Sequence, residues 1–189
     1  MRLRNKIVAA LLAVAALPAA AYAAVIGGTY YAVQYDYREF FAATDNRNFQ
    51  VVLAGTAFPG VDPETVARDL LPMMQAAKPM PRLTFTYETP AEPPRPNYRL
   101  MLVFNPASDL NSDTVCKGTT RFKPGQPGVF YVYAIYCRND MTMSETTAWT
   151  AATGPTDPRI GELFRQLFQV VFSDSPSLRP NQGGGGSFR

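Results

Sequence analysis

The segment Val129–Arg138 (VFYVYAIYCR) carries apolar or aromatic side chains at successive positions, odd and even alike. Because a β-strand sends alternate residues to opposite sides, such a run has no face suited to water. It predicts a central strand covered on both sides, and so a sheet lying between two layers. The run is also long enough to span a small domain, which makes the shorter apolar segment at 98–105 (YRLMLVFN) its expected neighbour.

The remaining elements arrange themselves around that strand. Residues 49–58 (FQVVLAGTAF) and 82–88 (RLTFTYE) read as strands; in the latter, Leu83, Phe85 and Tyr87 alternate with Thr84 and Thr86. Residues 141–150 (MTMSETTAWT) read as a weaker strand, with Trp149 filling a core edge. A proline-rich stretch at 90–96 is a stiff surface connection. Asp62-Pro63 opens a helix whose apolar stripe is Val66, Leu70, Met73, Met74 and Ala77. Pro72 inside it predicts a kink, or an end near Leu71. Asp157-Pro158 opens a second helix with the stripe Ile160, Leu163, Phe164, Leu167, Phe168 and Val171. Runs of strands set apart from helices give an α+β fold: an antiparallel-rich sheet of four to five strands with two helices packed on one face. Phe130, Tyr136 and Met101 are then expected on the opposite face, which either the N-terminal segment or a partner must cover.

Four regions follow from composition. Residues 1–23 combine Arg2, Arg4 and Lys6 with an uncharged apolar run and the small-residue triplet Ala21-Tyr22-Ala23, the three parts of a secretory signal peptide cut after Ala23. The same segment, extended to about residue 28, just suffices as an uncleaved membrane anchor, since roughly 20 apolar residues cross the hydrocarbon. Pro18 and the abundance of alanine favour cleavage, whereas the following tyrosines suit a membrane interface. Residues 24–48 form an aromatic segment in which Tyr31, Tyr35 and Arg38 fall at helical spacing. Residues 49–175 form a single α+β domain, and residues 176–189 a flexible glycine-rich tail. Either reading of the leader places the domain outside the cytoplasm, in a bacterial periplasm and within reach of the inner membrane.

Charge and residue choice exclude several functions. The chain has 18 basic and 15 acidic residues, and removing the leader's three cations leaves the two kinds equal. Without a cationic surplus there is no case for nucleic-acid binding. A cluster at Lys117, Arg121 and Lys123 reads as solvated surface. The complete lack of histidine removes imidazole from catalysis and from metal ligation. Cys116 and Cys137, an even pair in an exported chain, read as a structural disulfide worth about 3 kcal/mol on the chain-entropy model. They have neither the C-x-x-C spacing of a redox pair nor a histidine to lower a thiol pKa. The acids are scattered, no glycine-rich loop joins a strand to a helix, and no cofactor or metal site is expected.

What remains is a non-catalytic exported envelope protein, a binding or accessory module for another periplasmic or membrane component. Its surplus of aromatic residues is the kind of surface that interfaces bury. The candidate contact residues are Tyr30, Tyr31, Tyr35, Tyr37, Phe130 and Tyr136. One alternative is a periplasmic small-molecule carrier with a Tyr/Met-lined pocket between the sheet and the N-terminal segment. A carboxylate-based enzyme is the other. Intact-mass measurement of the exported protein tests the leader and the bridge together. The expected mass begins at Ala24 and lies two hydrogens below the reduced value. A full-length N-terminus refutes the cut, and two free thiols refute the bridge.

Overall fold

The computed structural model describes residues 24–174, so the leader and the glycine-rich tail lie outside the described residues. In chain order the elements are β1 (Val25–Tyr31), α1 (Tyr37–Thr44), β2 (Asn48–Ala54), α2 (Pro63–Ala77), β3 (Thr84–Thr86), β4 (Tyr98–Phe104), α3 (Ser112–Cys116), β5 (Val129–Arg138), β6 (Met141–Ala151) and α4 (Pro158–Val171). The fold is α+β. Among the described residues the strands form one six-stranded sheet in the order β1-β6-β5-β4-β2-β3.

β5 is central, as its two apolar faces require. It pairs antiparallel with β4 from Tyr98↔Arg138 to Phe104↔Val132, and with β6 from Val129↔Ala151 to Arg138↔Met141. Phe130, Val132, Ala134 and Tyr136 join the larger core with α2 and α4, while Ile135 and Cys137 join a smaller core with α3. Asn139, with φ of 52°, makes the tight turn into β6.

The expected antiparallel-rich sheet of four to five strands with two helices on one face is met in part, and four details are corrected. First, the sheet is mixed: β2 runs parallel to both β3 and β4. A helix between two strands returns the chain to the same end of the sheet, so β2-α2-β3 yields parallel neighbours. Second, residues 24–48 are not one helical lead-in. The uncharged, Val/Ile/Tyr-rich start forms β1, antiparallel to β6, and Asp36 caps the separate helix α1 by accepting from Arg38 N. Third, β6 is no weak strand, because its threonines lie between two partners, β5 and β1. Fourth, α3 supplies a helix on the other face of the sheet.

The expected facing of Phe130 and Tyr136 is also corrected. Both lie in the larger core, and only Met101 lies on the second face. The N-terminal aromatics fold over the helix side instead. Phe40 stacks on Phe172 with ring centroids 4.4 Å apart, Tyr35 and Phe40 meet the Tyr136 ring, and Tyr31 meets Tyr35. Glu39 of α1 is anchored by Arg138 at 2.8 Å and by the Tyr98 hydroxyl. Part of the second face is covered by α3 and the loop after β4.

Local departures have local causes. β2 ends at Ala54 because Gly55 takes φ of 83° where a Cβ would meet the Phe104 carbonyl at 2.6 Å. α2 runs through Pro72, which lies on the exposed side together with Arg68, whose carbonyl lost its donor and can be hydrated. α4 buries its whole predicted stripe, each side chain worth about 1.5–3 kcal/mol. At the β3 edge Gln75 accepts from Phe85 N–H at 2.8 Å and donates to the Leu83 carbonyl at 3.1 Å, standing in for a further strand.

Asp157 caps α4, accepting from Arg159 N at 3.1 Å and from Thr153 N at 3.1 Å. The Arg159 guanidinium hydrogen-bonded to it holds its carboxyl well below the ordinary value of 3.8. A carboxyl depressed on folding adds stability that is complete above its unfolded pKa and lost as pH falls. Urea unfolding from pH 7 to 2 is therefore expected to show stability declining below about pH 4. Asp157→Asn keeps a capping oxygen but not the charge, and it flattens that acid limb. An unchanged limb refutes the assignment.

Candidate functional site

The second face of the sheet is only partly covered. α3 packs over Met101, Val103, Ile135 and Cys137, leaving the β5-β6-β1 side as the floor of an open trough. Three adjoining depressions make it up. One of about 390 Å³ lies between Lys123, Gln126, Tyr131 and Trp149. The next, about 250 Å³, shares Lys123 and Tyr131 with the first and reaches Tyr133 and Glu145. The last, about 440 Å³, shares Glu145 and extends to Tyr30, Asp113 and Met141.

Strand alternation sets this floor. Tyr131 and Tyr133 project to the second face because Phe130, Val132 and Ala134 project to the first. Tyr131 lies opposite Trp149, and Glu145 opposite Tyr30 on its other side. The wall is the loop after β4, and it is tied down at several points. Pro106 and Phe122 form an isolated bridge, Lys123 N donates to the Asn105 carbonyl at 2.8 Å, and Asn105 Nδ2 donates to the Thr56 carbonyl at 2.8 Å. Gly125 packs so closely that a Cβ would meet Asn105 Nδ2 at 2.6 Å. The Cys116–Cys137 disulfide, closing a sequence separation of 21, fixes the end of α3 to β5. Arg99, on β4, donates to the Cys116 carbonyl. The trough is thus preformed rather than gathered on binding.

Its electrostatics differ between the two ends. Lys123 Nζ stands 5.3 Å from the Tyr131 ring centroid, a cation–π arrangement beside Trp149. At the other end are the carboxylates of Glu145 and Asp113. Burial, then the nearby Glu145 charge, push the pKa of the Tyr133 hydroxyl up. Glu145 Oε2 is buried and has no hydrogen-bond partner among the described residues. The basic cluster expected in this loop is divided: Arg121 pairs with Asp109 at 2.9 Å, Lys123 lies over Tyr131, and Lys117 ends α3.

The sequence-derived contact residues are mostly elsewhere. Tyr31, Tyr35, Phe130 and Tyr136 are buried on the helix side, where partner contact is closed to them. The Tyr31 hydroxyl donates to the Val170 carbonyl, and that of Tyr35 donates to the Ser173 carbonyl at 2.7 Å. Tyr37 donates to the Met80 carbonyl at 2.8 Å and lines a depression between α2 and α4. Tyr30 alone of the six lines the trough, 53% exposed. Trp149, expected at a core edge, is 44% exposed on the trough floor. Tyr131 and Glu145 were not among the expected residues. The available signal was Glu145 itself, the one charge in a strand otherwise of Thr, Ser, Ala, Met and Trp.

Among the described residues no three acidic or cysteine side chains gather as a metal site, and no helix is long and apolar enough to cross a membrane. Comparison with protein-family models, with curated proteins and with solved structures returns no match.

Because Trp149 is the only tryptophan, fluorescence reads the trough directly. Native protein is expected to show red-shifted emission that acrylamide quenches readily. Blue-shifted emission resistant to quenching would mean that Trp149 is packed away.

Proposed function

We propose that the protein is an exported, non-catalytic binding module that docks another cell-envelope component along the trough on the second face of its sheet. The observation that carries this reading is Trp149, exposed beside Tyr131 on a floor whose opposite wall is pinned by a disulfide and a bridge. Large aromatic side chains on a rigid surface gain much contact area for little lost conformational freedom, and binding hot spots are built from them. The depressions join end to end and stay open, which favours an extended segment of a partner over an enclosed small molecule. The carrier alternative placed its pocket between the sheet and the N-terminal aromatics, and there the rings of Tyr31, Tyr35, Phe40 and Tyr136 pack on one another. Export and periplasmic residence belong to the same proposal and rest on the basic, apolar, small-residue leader.

A photo-crosslinking amino acid tests the trough in cells that make the protein. Placed at exposed Gln126 on the trough rim, it is expected to give a discrete adduct; placed at exposed Gln169 on α4, it gives none of that mass. Trp149→Ala in the Gln126 variant should cut the adduct about tenfold, as loss of a hot spot would. The same adduct from both positions, or indifference to Trp149→Ala, overturns the reading.

A further inference from the structure

The two ends of the trough carry opposite charge. Lys123 is placed over the Tyr131 ring. Glu145 and Asp113, at the β1 end, have no ion-pair partner among the described residues. A carboxylate oxygen that is buried without a hydrogen bond calls for an explanation, since nearly all buried polar atoms in folded proteins are paired. Oε2 of Glu145 is such an atom, and its side chain lines two of the three depressions.

We infer that the β1 end of the trough is a subsite for the cationic side chain of a lysine or arginine in the partner's docked segment. The inference rests on the trough reading and specifies its chemistry. Tyr30, cross-strand neighbour of Glu145, offers an exposed ring on the same depression. A cation there meets a ring face, as in cation–π recognition, together with the carboxylates of Glu145 and Asp113. The partly buried floor strengthens the attraction. Met141 supplies an apolar contact for the aliphatic stem of the long basic side chain. Lys123 repels a cation from the other end, so the segment is received in one direction only, its basic residue toward β1 and its apolar or aromatic residue toward Trp149.

The subsite is tested by titrating the isotope-labelled, disulfide-bonded protein with Nα-acetyl-lysine N-methylamide and following amide resonances. Nα-acetyl-norleucine N-methylamide and Nα-acetyl-glutamate N-methylamide serve as probes of equal length and of opposite charge. The lysine probe is expected to shift Tyr30, Asp113 and Glu145 saturably, with affinity falling as salt rises. The norleucine probe should bind at least about tenfold more weakly, and the glutamate probe should leave those resonances unmoved. Glu145→Gln, which keeps size and shape, should weaken the lysine probe about fivefold or more. If that variant does not fold, Tyr30→Leu and Asp113→Asn at exposed positions take its place.

Equal binding of the norleucine probe, shifts centred on Lys123 and Trp149, or lysine affinity indifferent to these variants overturns the subsite. So do the same shifts produced more tightly by calcium, which would make the carboxylates a metal site. In each case the Gln126 adduct and its dependence on Trp149 decide separately whether the trough itself still stands as a docking surface.

Discussion

Covering both faces of β5 is the constraint from which the rest of the structure follows. On one side the requirement is met by α4, α2 and the N-terminal aromatics, which meet Phe130, Val132, Ala134 and Tyr136 in one continuous core. On the other there is no comparable helix layer. A five-residue helix, a long loop and a disulfide cover Ile135 and Cys137 but leave Trp149 and much of the β6 floor open. The trough is the part of that face which the second layer does not reach. Its existence is therefore a consequence of unequal layers, and its rigidity comes from the same covalent link that completes the smaller core.

The aromatic residues divide along the same line. On the helix side the rings of Phe40, Phe49, Tyr136 and Phe172 contact one another at centroid distances of 4.4 to 6.1 Å. Such contacts add to the area term and fix a single packing. Across the sheet, Tyr30, Tyr131 and Trp149 stand apart on open floor. High aromatic content thus serves two ends, a rigid interior and a small number of rings left at the surface.

Much of the fold was legible in the residues. The stripe of α4, the Asp-Pro helix starts, the pairing of β4 with β5 and the disulfide are all local patterns or direct consequences of hydrophobic period. What was not legible depends on which side of the sheet an element returns to. Tyr136 and Phe130 lie on one face and Met101 on the other, but a strand that is apolar on both sides does not say which face receives the long helices. The parallel β2–β3 and β2–β4 pairs were hidden for a similar reason. β3 is only three residues long, and its neighbours are chosen by the α2 crossover rather than by its own sequence. The trough residues were the least visible, because Glu145 and Trp149 lie in a strand whose threonines look polar throughout. Those threonines acquire an inside and an outside only when α4 packs on one face of β6.

The pairing of β1 with β6 joins groups as far apart in the chain as Thr29 and Thr146, whose hydroxyls meet across 117 positions. A polypeptide made or threaded amino-end first delivers β1 long before its only strand neighbour exists. Until the last hairpin arrives, an uncharged stretch with Val, Ile and two tyrosines waits without a partner. The order of synthesis and the order of assembly are in this sense opposed. Across the floor of the trough, the first of the described strands to be made is paired with the last.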